Sequence, residues 1–159
     1  MHFQSAHARR QSLINIFLPL LPLILMAFCL SAQGQVPLTQ ISSDPFTNSD
    51  SQHATEVEAS TLANGNTIVT AFQQGRYDNF GGSSGIGFAT STDGGLTWTN
   101  GTLPGLSALT GGTAQRISDP AVAYDAKHDV WMIATLPVFY NATSSKPMLL
   151  SRSTDGGLT

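Results

Sequence analysis

Apolar residues follow two different patterns along the chain. From Leu13 to Leu30 they form one nearly continuous run, broken only by Asn15, Pro19 and Pro22. After Gln35 they come in short runs separated by glycine, asparagine, serine and threonine. No stretch there sustains a helical period, and the short runs read as strands. A first set lies near Val57–Ala63, Thr67–Gln73, Gly85–Ser91 and Thr97–Asn100. A second lies near Pro120–Tyr124, Val130–Leu136 and Pro147–Arg152, with the fourth member missing. Asn64-Gly65-Asn66 is a tight-hairpin signal, and Gly81-Gly82-Ser83-Ser84 marks a loop.

The two sets are copies of one unit. Ser91-Thr92-Asp93-Gly94-Gly95-Leu96-Thr97-Trp98 recurs as Ser153-Thr154-Asp155-Gly156-Gly157-Leu158-Thr159, at a spacing of 155 − 93 = 62 residues. Glu58–Leu62 aligns with Asp119–Ala123 at 119 − 58 = 61 residues. A repeat of about sixty residues holding four short strands is the arithmetic of a β-propeller blade. The expected fold is therefore all-β, a propeller of four-stranded antiparallel blades. Blade one covers about 51–103 and blade two about 115–159.

Within the repeated octapeptide each residue has a structural task. An Asp at its head accepts backbone N–H groups a few residues on, the paired glycines permit positive φ, and Trp98 buries a large ring. Ser91, Asp93, Gly95, Thr97 and Trp98, with Ser153, Asp155, Gly157 and Thr159, thus read as turn-formers and not as catalysts.

The first apolar run changes what composition implies. Arg9 and Arg10 precede it, and Ala32-Gln33-Gly34 follows it with small residues where a signal peptidase reads. Residues 1–34 therefore read as a secretory signal, with an uncleaved anchor as the other reading, and 35–50 as a linker. Export places the protein outside the cell or in a periplasm, with no membrane partner once the leader is removed. Cys29 is the only cysteine, so cleavage removes all thiol chemistry. Charge changes from 7 − 10 = −3 to 5 − 10 = −5 after loss of Arg9 and Arg10. A mildly acidic chain without a basic cluster is a poor nucleic-acid binder.

The octapeptide matches the Asp box, Ser-x-Asp-x-Gly-x-Thr-Trp, in all five specified positions at Ser91–Trp98. In this, Ser51–Thr159 resembles the sialidase superfamily of BNR repeat propellers. The resemblance implies about six blades, about 370 residues, and a reading frame that continues with Trp after Thr159. It also implies glycan or glycoprotein as the partner. Two function classes stay open: a sialidase-like glycoside hydrolase, and a non-catalytic propeller that binds glycan or protein. The stretch Ala71-Phe72-Gln73-Gln74-Gly75-Arg76, then Asp78, is similar to sialidase blade one. Where that family has the first carboxylate-binding arginine, this chain has Glu56, which opposes an anionic sugar.

Blade topology places the second-to-third strand loops opposite the boxes. The resemblance makes that face the substrate face, with Asp78 as the acid/base and Arg76, Arg116 and Tyr140 as substrate contacts. Arg76 and Asp78 are also close enough in sequence for a local ion pair. Glu56 and Glu58, two apart on one strand, are expected on the same face. Glu58 and Asp119 open inner strands and could hold a cation; oxygen ligands would suit calcium, but no calcium-loop motif is present. No zinc, P-loop or Ser-His-Asp signature occurs, and no cofactor is expected. His53 and His128 read as isolated and exposed. Asn100-Gly101-Thr102 and Asn141-Ala142-Thr143 fit the glycosylation pattern.

Overall fold

Short β-prone runs punctuated by Gly and Asn close into hairpins, which make up most of the described residues. The computed structural model describes residues 38–140 and 148–159. The expected export signal, Cys29 and the second sequon lie outside the described residues. The body that bears on function runs from Gln40 to Thr159. Its strands are β1 (Glu56–Asn64), β2 (Thr67–Arg76), β3 (Ser83–Ser91), β4 (Thr99–Thr102), β5 (Arg116–Asp125), β6 (Val130–Val138) and β7 (Leu149–Ser153). The described residues are all-β, and their seven strands form one antiparallel sheet that does not close on itself.

The sheet consists of two meanders. β1 pairs with β2, β2 with β3, and β3 with β4. β5 pairs with β6, and β6 with β7. A single residue pair, Ser83 with Ile117, joins them edge to edge. The first hairpin turns in two residues, with Gly65 at φ 59° where a Cβ would be strained.

Register fixes the faces. Val69, Ala71 and Gln73 lie opposite Thr90, Phe88 and Ile86, and form one face of the first meander. In the second, Trp131, Ile133 and Thr135 lie opposite Ser153, Ser151 and Leu149. These two faces meet: Val69, Ala71, Ile86, Trp131 and Ile133 belong to one buried cluster. Ile86 and Ile117 are fully enclosed there, each contributing about 1.5–3 kcal/mol by burial. Polar bonds cross the same seam. Val122 N donates to Ser60 Oγ at 3.1 Å, Gln73 Nε2 to Ser118 Oγ at 3.1 Å, and the Thr90 hydroxyl to the Gly157 carbonyl.

The packing is head to tail. Ile68 pairs with Ser91 and Trp131 with Ser153, and the two serines head the two boxes. Trp131 is therefore the counterpart of Ile68, which lies on the other face of β2. The first meander offers one face to the opposite face of its copy, as in a stack of repeats.

Residues 40–50, expected as a linker, are packed on that other face of the first meander. Asp44 accepts Phe46 N at 2.9 Å and Thr55 N at 3.2 Å, folding the strap over. A Cβ placed on Gly85 would lie 2.5 Å from Phe46 Cζ, so glycine makes room for the ring. Gln74 Nε2 donates to Ser43 O at 3.0 Å, and Gln74 is buried beneath the strap.

Bounds on three strands differ from expectation for local reasons, and β2 runs on to Arg76, three residues past its expected end. β4 begins at Thr99, not Thr97, because the box occupies residues through Trp98. β7 runs from Leu149 to Ser153, two residues later than its expected start and one later than its expected end. β5 begins at Arg116, four residues before Pro120, because Asp119-Pro120 forms a bulge within the strand and does not start it. A bulge is where a sheet tolerates proline.

Candidate functional site

Antiparallel connection sorts chemistry to the two ends of the meanders. At one end Gly94 N donates to Asn66 O at 2.9 Å, tying the first box to the β1–β2 turn. At the other lie the β2–β3 loop, the start of β5 and the end of β6.

At the box end, Asp93 Oδ1 accepts Leu96 N and Thr97 N, each at 2.9 Å, and Oδ2 accepts the Thr97 hydroxyl at 2.6 Å. Ser91 Oγ accepts Gly95 N at 2.8 Å and donates to Asp93 Oδ1 at 2.8 Å. The second box repeats this set, with Leu158 N and Thr159 N on Asp155 at 3.0 and 3.1 Å. Gly94 and Gly95 stand at φ 76° and 96°, and Gly156 and Gly157 both at 83°. The Thr97 hydroxyl and N–H, with Ser91 and Leu96 N–H, hold the Asp93 carboxyl far below the usual carboxylate range. Ser153 and then Thr159 do the same for Asp155. Each oxygen of both carboxylates accepts at least one bond from within its own turn.

At the loop end, Arg116 is the organising residue. It is 5 % exposed, and its guanidinium carbon lies 3.9 Å from the Tyr77 ring centre and 5.0 Å from that of Tyr140. Nη1 donates to Gly81 O at 2.8 Å and to Asn79 O, and Nη2 to Asn79 Oδ1 at 3.0 Å. The cation holds the loop at Asn79–Gly81 and lies over two tyrosine rings, while its Nε is buried without a hydrogen-bond partner. Phe80 sits between the two clamped carbonyls at φ 58°, with its ring 92 % exposed. The Tyr140 ring is half-exposed, and its N–H donates to Gln115 Oε1 at 2.7 Å.

Arg76 and Asp78 share this end but do not pair. Arg76 Nη1 donates to Tyr77 O at 3.2 Å, and Asp78 is exposed. Among the described residues the ion pair formed is Asp125–His128, at 2.6 Å, whose bond to His128 lowers the Asp125 pKa. His128 is therefore exposed but not isolated. His53 is exposed with Nδ1 3.1 Å from Phe46 O.

Glu56 and Glu58 do not share a face. The register of β1 slips between Val57 and Ser60, and Glu58 sits at φ 55° in that bulge. Glu56 accepts Gln74 Nε2 at 3.0 Å and the Ser42 hydroxyl, whereas Glu58 accepts Gln73 Nε2. Gln73 and Gln74 are neighbours on opposite faces of β2, so the carboxylates diverge. Asp119 occupies the same place in β5, at φ 50° in a bulge between Ser118 and Ala121. Among the described residues no three His, Cys, Asp or Glu side chains are placed to hold a metal ion. No helix among them is long and apolar enough to cross a membrane.

Asn79, Phe80 and the strap residue Phe46 were not singled out from sequence. A loop asparagine carries no signal of its own. For Phe46 the available sign was Asp44-Pro45-Phe46, an Asx-turn pattern facing the glycines at 75 and 85. Comparison of the chain with protein-family models, with curated proteins and with solved structures finds no match.

Proposed function

We propose that the two meanders are neighbouring blades of an exported, sialidase-like Asp-box propeller, and that its loop end binds glycan. Support for the blade reading comes from the head-to-tail packing of two sequence repeats with both boxes closing the same kind of turn. The observation that carries the binding reading is the outward presentation of Phe80 and Tyr140 about the buried Arg116. Exposed flat rings beside polar side chains suit the apolar face and hydroxyl rim of a neutral sugar. Asp78, exposed next to them, is available to a hydroxyl.

An anionic sugar is disfavoured. Glu56 stands at the position of the family's first arginine, and the donors of Arg116 that meet the loop are already committed. The chain should bind neutral oligosaccharides and release no sialic acid from sialosides. Titration of the chain with a panel of neutral and sialylated oligosaccharides tests this, with Phe80→Ala and Tyr140→Ala as paired variants. Either substitution should weaken binding about tenfold, the usual cost of losing an aromatic anchor. Sialoside turnover at about 1 per second or faster would overturn the electrostatic reading. The hydrolase reading gains if neutral glycoside turnover appears and is lost in Asp78→Ala.

A further inference from the structure

The β2–β3 loop, residues 77–82, is held by two separate parts of the chain. Arg116 of β5 clamps it at Asn79 and Gly81. The strap holds its stem, through contacts that continue past Asp50 into Ser51 and Gln52. Ser51 and Tyr77 form an isolated antiparallel bridge. On either side of that bridge Gln52 N donates to Arg76 O at 2.7 Å and Asp78 N to Asp50 O at 3.5 Å.

The strap is itself seated at the root of this loop. The Phe46 side chain runs across β2 and β3 where they enter it. A Cβ placed on Gly75 would lie 3.0 Å from Phe46 Cβ, and one on Gly85 only 2.5 Å from Phe46 Cζ. Two glycines thus make the slot for one ring. Gly75 N donates to Thr55 O at 3.1 Å. Beyond Phe46, Asn48 Oδ1 accepts the Ser84 hydroxyl at 3.1 Å, and Asn48 Nδ2 donates to Asp50 Oδ1 at 2.7 Å.

The two supports meet at Tyr77. Its main chain pairs with Ser51, while its buried ring lies 3.9 Å from the Arg116 guanidinium carbon. Tyr77 N donates to Gly82 O at 3.0 Å, which closes the loop. A continuous path of contacts therefore leads from Phe46 through Asn48–Ser51 to Tyr77, then to Arg116 and the carbonyls on either side of Phe80.

We propose that Phe46 is a positioning residue for the Phe80 loop, and that strap and Arg116 support that loop as one cooperative unit. Seating Phe46 fixes the course of Asn48–Gln52, which fixes the Tyr77 main chain and so the ring against which Arg116 rests. Loss of either support frees the loop, because Asp78, Asn79 and Phe80 are all exposed and bury little of their own. The inference stands on the supports of the loop and not on what the loop binds.

The test follows amide hydrogen exchange by NMR in the full chain. One probe is the Tyr77 N–H, which bonds to Gly82 and not to the strap; the controls are Leu96 and Thr97 in the box. Phe46→Ala should speed exchange at Tyr77 about tenfold or more and leave the box unchanged. Chymotrypsin should cut after Phe80 faster by a similar factor. Phe46→Leu, which refills part of the slot, should restore most of the protection. Arg116→Lys keeps the charge but not the planar fork, and should free the same amide. In the double variant the effects of Phe46→Ala and Arg116→Lys should not add. Exchange that rises at Tyr77 and in the box alike reduces the strap to a source of global stability and overturns the proposal. Tyr77 protection that survives Phe46→Ala, or additive effects in the double variant, overturns it as well. If Phe46→Ala does not fold, Asp44→Ala, which loosens the strap at its turn, decides by the same amides.

Discussion

Asp93 gathers two N–H groups and two hydroxyls from residues no more than four positions away. Its role was therefore legible in an eight-residue window. Arg116 is the opposite case. Its partners at Asn79 and Gly81 lie 37 and 35 residues back, and nothing local distinguishes a clamp from a substrate contact. The Asp93 geometry also fixes a pH dependence. Its carboxyl is depressed in the folded chain, mainly by the Thr97 hydroxyl, and Asp155 is depressed mainly by that of Ser153. Both contribute stability above the ordinary carboxylate pKa, about 3.9, and lose it as pH falls below that value toward the folded one. Asp93→Ala should lower the thermal midpoint at neutral pH while leaving glycan binding per folded molecule unchanged. It should also flatten the loss of stability on acidification, because one of the depressed carboxyls, Asp93 beside Asp155 and Asp125, is gone. Unchanged melting together with abolished binding would mean the box is a site and not a turn.

The strands themselves were largely legible because β-prone runs and Gly/Asn turns are local signals. β1, β2, β3 and β6 fall within about two residues of expectation at each end, apart from the extension of β2 to Arg76. The bulges were not legible, since nothing in Glu58 or Asp119 announces a left-handed conformation. Their agreement across the repeat, at φ 55° and 50° and with the same slip in register, makes them a property of the element. Each bulge re-aims its carboxylate, which is why Glu56 and Glu58 serve different faces. A β-branched residue is an outlier at such a φ. Asp119→Val should therefore cost about 1–2 kcal/mol, read as a lower urea midpoint at unchanged m-value. Asp119→Gly should cost less than that, because glycine adopts the conformation freely. If both substitutions are equally costly, the lost carboxylate and not the backbone is responsible.

Head-to-tail packing gives the described body from Gln40 to Thr159 two unlike outer faces. The outer face of the first meander is covered in part by the strap at 40–50, with Phe46 over Gly85 and Gln74 buried beneath it. The outer face of the second meander is the counterpart of the one that Val69, Ala71 and Ile86 bury inside. It carries Leu136, Leu150 and Met148, which are 40, 62 and 59 % exposed. The register places Ala134 opposite Leu150 on that face. A surface of this kind, counterpart to one fully buried elsewhere in the same chain, favours association. The described body should therefore self-associate as its concentration rises through the micromolar range, visible as a growing weight-average mass in sedimentation. Leu150→Glu should suppress this association, because the new carboxylate would have to be buried without a partner. The same substitution should leave the fold intact, since Leu150 faces away from the seam with the first meander. A wild-type chain that stays monomeric at all these concentrations would show that the exposed face is not an interface. An associating chain indifferent to Leu150→Glu would place the contact elsewhere.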